Sequence, residues 1–279
     1  GEEHPDYASN LNDLGNLYYD MGDYKSAEIY FKKSLKLKKK IFGEDHPDYA
    51  SILNNLGNLF SDLGNYNLAE LNYNQALNIY KIALGEEHPD YAGTLNNLGL
   101  LYSSMEKYES AQPYYIKALE IYKKTLGEDH PDYAMSLSNL GLLNNYLGEY
   151  RNSESNYTQA LEIYKKTLGE EHPYYASNLN NLASLYLDLG EYNSAEQLFQ
   201  QVLKIYKKTL GEEHLDYAVI LNDLGELYRE MGDYKASESY YKQALEIRKK
   251  KLGVIHPEYA GSLNNLGVLY GRMGDFKSS

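Results

Sequence analysis

Histidine is the first place to look for chemistry in this chain, because an imidazole can ligate zinc or move a proton near neutral pH. The chain of 279 residues holds 7 histidines: His4, His46, His88, His130, His172, His214 and His256, each 42 residues after the last. Such regular spacing belongs to a repeat, not to a catalytic constellation. With roughly 8–10 Å between packed helix axes, successive histidines of stacked helix pairs would lie about 16–20 Å apart. Zinc needs ligands about 2 Å from one ion, so no metal site is expected. With 0 Cys there is no thiolate nucleophile and no disulfide frame. Neither G-x-G-x-x-G nor G-x-x-x-x-G-K-[ST] is present to cradle phosphate, and no G-x-S-x-G elbow occurs. Carboxylates are abundant but regularly spaced, unlike a buried pair with separated pKa values. The expectation is a non-enzyme that needs no cofactor.

The elements behind this pattern can be read from the first 42 residues. Pro5 stands at a helix start, where its missing N–H costs nothing, and Asp6 adds a favourable first-turn charge. Tyr7, Leu11, Leu14 and Tyr18 mark one helical face. Met21-Gly22-Asp23 breaks the helix, and a second begins at about Tyr24 with Ala27, Phe31, Leu35 and Ile41 inward. It ends in lysines and Gly43, a stop that recurs at Gly85, Gly127, Gly169, Gly211 and Gly253. At about 1.5 Å per residue the two helices are roughly 24 and 27 Å long. The prediction is an all-α solenoid of antiparallel helix pairs filling residues 1–279 as one array. Its six full repeats are about 1–42, 43–84, 85–126, 127–168, 169–210 and 211–252, with a partial seventh at 253–279. Most of the 32 tyrosines fall into columns of this register and are read as packing groups.

Charge narrows the partners. A balance of 27 Lys+Arg against 40 Asp+Glu, net −13, disfavours nucleic acid and anionic membranes. Acids gather in the linkers and basic residues in the helix turns before them, as the helix dipole favours. No apolar run approaches the roughly 20 residues that span a bilayer; with no Cys, a cytoplasmic location is expected. A start at Gly1 and an end inside a repeat suggest a piece of a longer protein.

Within each repeat the positions of Leu11, Leu14, Gly15, Tyr18, Ala27, Phe31 and Ser34 resemble the tetratricopeptide signature; the second repeat has Leu53, Leu56, Gly57, Phe60, Ala69, Tyr73 and Ala76. The 42-residue length, the linker Gly-Glu-Glu-His-Pro-Asp-Tyr-Ala and the run Leu-Asn-Asn-Leu-Gly resemble the kinesin-light-chain and nephrocystin type. The resemblance implies a right-handed superhelix whose concave groove, lined by the first helix of each repeat, binds a protein or peptide. The Gly15 column would let the two helices of a pair approach closely. Helical geometry then picks out the columns opposite the Leu11/Leu14/Tyr18 seam. One reads Asn12, Asn54, Asn96, Ser138, Asn180, Asn222, Asn264, and its neighbour Asp13, Asn55, Asn97, Asn139, Asn181, Asp223, Asn265. Asn is a weak helix former with both donor and acceptor groups, so this ladder could bond an extended peptide. It could equally bond neighbouring helices to each other.

Specificity is expected where repeats differ. Leu100, Leu142 and Tyr146 suggest an apolar centre, and acids such as Asp13, Asp20, Asp62, Asp223, Glu226 and Glu230 load the ends; Arg229 is a rare cation there. The expected ligand has an apolar anchor with basic or neutral flanks. Alternatives are a regulatory arm of a larger signalling, NTPase or protease protein, and a homo-oligomer formed through an uncapped C-terminal end around Leu263, Leu266 and Tyr270.

Overall fold

The computed structural model describes residues 4–274, which are helical apart from short turns and linkers. The helices are α1 (Pro5–Asp20), α2 (Tyr24–Phe42), α3 (Pro47–Asp62), α4 (Tyr66–Ala83), α5 (Pro89–Ser104), α6 (Tyr108–Thr125) and α7 (Pro131–Tyr146). They continue with α8 (Tyr150–Thr167), α9 (Pro173–Asp188), α10 (Tyr192–Thr209), α11 (Leu215–Glu230), α12 (Tyr234–Leu252) and α13 (Pro257–Met273). No strand occurs among the described residues. The chain forms two compact units, Gly1–Gly148 with α1–α7 and Glu149–Ser279 with α8–α13. Asp275–Ser279, part of the proposed self-association end, and the linker acids Glu2 and Glu3 lie outside the described residues.

Each odd-numbered helix starts in the same way. His4, His46, His88, His130, His172, His214 and His256 are N-caps whose Nδ1 accepts the backbone N–H two residues on, at 3.2 Å for Asp90 and 3.1 Å for Asp48. The imidazoles thus supply an acceptor for amides that a helix start would otherwise leave unpaired. Leu215, which replaces the linker Pro, still opens α11 beneath the cap of His214. Even-numbered helices are capped by Asp23, Asn65 and Asp233, whereas Lys107, Glu149 and Glu191 make no side-chain cap bond. In the turn before α6, Glu106 stands where other repeats have Gly and is held at φ 58, in the left-handed region.

Packing within a pair depends on the Gly15 column. A Cβ on Gly15 would lie 2.5 Å from the Phe31 ring, and one on Gly57 2.4 Å from Tyr73. Gly99 and Gly225 are in the same position against Tyr115 and Tyr241. The close approach of paired helices read from sequence is therefore present in both units. In the N-terminal unit one cluster joins Phe31, Leu59, Tyr73, Leu98 and Leu101, and a second joins Ala50, Leu53, Ala76, Ile79 and Tyr80. In the C-terminal unit Tyr241 packs with Leu266 and Leu269. Each such large side chain removed from water contributes about 1.5–3 kcal/mol.

Edges expose what interiors bury. Leu14 and Leu17 of α1 are 38% and 53% exposed, while their counterparts Leu56 and Leu59 are 3% and 0% exposed. At the last described helix Leu266 is buried against α12, but Leu263 is 46% exposed. Helix-end lysines meet linker acids, as in Lys81–Glu86, Lys123–Glu128, Lys165–Glu170 and Lys207–Glu212. The linker charge is thus largely surface ion pairing, which contributes little per pair.

Candidate peptide-binding face

The asparagine columns form rungs between successive odd-numbered helices. In the N-terminal unit Asn55 Nδ2 donates to Asn12 Oδ1 at 3.0 Å, Asn97 to Asn54 at 3.1 Å, and Asn139 to Asn96 at 3.2 Å. In the C-terminal unit Asn265 donates to Asn222 at 2.7 Å. Every rung joins positions 43 apart, and every one is donated by the later repeat. The stack-bonding role weighed for these residues is therefore present. Asn96 is buried, Asn54, Asn55, Asn97 and Asn139 are half-buried, and Asn264 is exposed. A rung uses one amide hydrogen and one lone pair, so each partner keeps further hydrogen-bonding capacity.

Two clefts lie on this face, one in each unit. The first, of about 350 Å³, is lined by Asn54, Asn55 and Asn97 with Asp90, Asp132, Tyr80, Tyr122 and Met135. On the same unit Leu100 is exposed, Leu142 half-buried, and exposed Tyr146 stacks on Tyr108 with ring centres 5.0 Å apart. The second cleft, of about 550 Å³, is lined by Asp188, Asp223, Glu226 and Glu230 with Leu187 and Phe199. Arg229 is not a spare cation beside it: its Nη2 binds Glu226 at 2.9 Å and Glu230 at 2.8 Å. Burial pushes Glu230 upward, yet its bonds to Arg229 and Arg272 outweigh that and hold its carboxyl below the usual range.

The asparagine pattern changes at Asp223, which stands 43 residues after Asn180. Burial pushes its carboxyl up to about 6; bonds to Asn222 and Asn180 and the charge of Arg248 oppose the rise, while Glu226 adds to it. Asn180 Oδ1 is buried without a hydrogen-bond partner. Asn181 is half-buried. Tyr241 lies nearby in the field of Asp223 and Glu226; burial raises its hydroxyl to about 12, and that hydroxyl too has no partner.

Sequence reasoning missed three arrangements. The histidine Nδ1 caps are one. The second is a set of hydrogen bonds from Tyr102 to Glu70, Tyr186 to Glu154 and Tyr270 to Glu238, each 2.7 Å. Its signal was a Tyr and a Glu in fixed register, and both change together where Asn144 and Gln112 stand. The third is a buried cation at each end of one column: Lys38 binds Asp48 at 2.6 Å and Arg248 binds Ser262 at 2.7 Å, where the intervening repeats have buried Tyr80, Tyr122, Tyr164 and Tyr206. Among the described residues no group of three or more His, Cys, Asp or Glu is placed to hold a metal ion. No described helix is long and apolar enough to cross a membrane.

Known proteins share this repeat geometry. The tetratricopeptide repeat family model matches residues 6–82, 90–166, 137–208, 175–250 and 216–279, and the chain belongs to that family. No curated protein matches it. It is similar to the solved structure of BtubC (BKLC) from P. vanneervenii, with 23% identity over 92% of this chain and 93% of that one, at a TM-score of 0.64. A putative kinesin light chain from Podospora anserina with nearly identical TPR-like repeats shares 25% identity over 74% of this chain and 97% of that one, TM-score 0.60. A signal transduction ATPase with numerous domains from Pyrococcus horikoshii, with a tetratricopeptide repeat sensor, is 16% identical over 97% of this chain and 40% of that one, TM-score 0.68. Tetratricopeptide arrays are typically non-catalytic protein-interaction scaffolds.

Proposed function

We propose that the chain is a non-catalytic scaffold that binds a peptide segment along the faces of its odd-numbered helices. The observation that carries this reading is the N-terminal cleft, where Asn54, Asn55 and Asn97 line one hollow with Met135. Amides with unused donors and acceptors suit a peptide backbone, and Leu100, Leu142 and Tyr146 suit one apolar anchor. The acids lining the C-terminal cleft favour basic or neutral flanks over acidic ones. A peptide-display screen on the full chain is expected to return ligands with an aliphatic or aromatic anchor and few acids. Predominantly acidic ligands would overturn the reading. Leu142→Asp should weaken a selected peptide at least tenfold with helicity unchanged by circular dichroism; unaltered affinity removes the apolar centre.

A second reading follows from the likeness in fold to a signalling ATPase with a repeat sensor. The same face would then serve as the regulatory arm of a larger protein, its ligand controlling a neighbouring domain. Activity of an adjoining domain that is indifferent to the selected peptide would count against it.

A further inference from the structure

The C-terminal unit contains a rung whose later residue has no hydrogen to give when ionised. In four rungs the residue 43 positions later donates an amide N–H to the earlier Asn Oδ1. At the Asn180 rung that later residue is Asp223, and an ionised carboxylate has nothing to donate. Asn180 Oδ1 is buried and unpartnered. The Asn180 amide does bond the ionised carboxylate, but only the protonated acid can donate to the Asn180 oxygen as the later residue does in the other rungs.

We propose that Asp223 makes this rung proton-dependent: as a carboxylic acid it donates to Asn180 Oδ1, adding the α9–α11 bond that the other rungs make, and as a carboxylate it only accepts from the Asn180 amide and leaves that oxygen without a donor. The inference concerns the stack itself and stands whether or not a peptide binds.

The surroundings are finely balanced. On its own helix Glu226 opposes ionisation, and Arg229 is occupied by Glu226 and Glu230. From α9, Asp188 lines the same cleft, and α10 contributes Phe199 and Tyr192 with no formal charge. From α12, Arg248 favours the carboxylate, while the neutral Tyr241 hydroxyl lies in the field of the acids. From α13, Arg272 reaches Glu230. Burial leads these effects and places the carboxyl at about 6 in the folded chain, above the roughly 3.9 of an unfolded chain. Folding therefore favours proton uptake here. The stabilising contribution is complete below the unfolded value, and it is lost as pH rises through about 6.

The test is Asp223→Asn in the full chain, which installs the amide that Asn55, Asn97, Asn139 and Asn265 carry. At pH 7.5 the variant is expected to melt about 2–4 °C above the wild type. The gap should close by pH 5, where the wild-type rung has its proton. In the wild type, the carboxyl carbon resonance of Asp223 should titrate near pH 6, a readout that needs no variant. Equal melting at both pH values, or titration in the ordinary carboxylate range, overturns the proposal. Asp188→Asn, which removes a cleft charge but no rung, should give no such pH-dependent gap. The same gap in that variant would assign the effect to general cleft charge and likewise overturn the rung.

Discussion

The two units use one 42-residue pattern to build clefts of different acidity. In the N-terminal unit the three rungs are all amide to amide, and the cleft beside them is lined by Asn54, Asn55 and Asn97, with Asp90 and Asp132 as its acids. In the C-terminal unit Asp223 interrupts the rungs, and the cleft is walled by carboxylates that Arg229 only partly neutralises. Amides suit a backbone of any sequence, whereas the denser carboxylates of the C-terminal cleft discriminate more strongly by charge. A repeat frame therefore leaves room for local specialisation, because the Gly and Tyr columns hold the packing while cleft positions such as Asp223 and Glu226 differ between repeats.

The largest test of that separation lies in the packing column. Gly57→Ala places a Cβ 2.4 Å from the Tyr73 ring, and overpacking of this kind should cost about 1–3 kcal/mol in urea unfolding. Gly267→Ala, at the same repeat position in the C-terminal unit, meets nothing within 4 Å. It should be neutral or stabilising by up to about 1 kcal/mol, as for Gly→Ala in an open helix. Equal penalties at the two sites would mean that the column does not act through the facing ring. A smaller effect concerns the strained turn of the N-terminal unit. Glu106 holds φ 58, a conformation that costs a non-glycine residue about 1 kcal/mol, so Glu106→Gly should raise the unfolding midpoint correspondingly. An unchanged or lower midpoint would show that Glu106 carries a compensating contact. The smallest effect belongs to the surface pairs of either unit. Lys123→Gln, which breaks the pair with Glu128, should change stability by less than about 0.5 kcal/mol and less still in high salt.

Legibility in the sequence followed periodicity. Helix starts, turns and the Gly15 column were readable because the same local chemistry recurs in every repeat, and a 3.6-residue period exposes the buried face. The asparagine columns were readable as a ladder, but not the direction of their bonds. The amides of one helix bond those of the next repeat, a relation that spans 43 residues and that no single repeat contains. Lys38 and Arg248 were hidden for a related reason. A lysine-rich helix end reads as a solvated face, and only the stacked neighbour that brings Asp48 to Lys38 reveals that this cation is buried. The histidines were located correctly as punctuation, yet their role as acceptors depends on a backbone conformation that spacing alone does not disclose.

Because in the four amide rungs the later helix gives the hydrogen and the earlier one takes it, those rungs confer a reading direction on the stack. A repeat grafted after another must bring an amide at the second position of the Asn-Asn pair; at the first position an acceptor is enough. Aspartate is thus an acceptable letter in one column and a proton-requiring one in the next. Anyone recombining such repeats should order them by this donor-to-acceptor grammar as well as by the fit of their apolar seams.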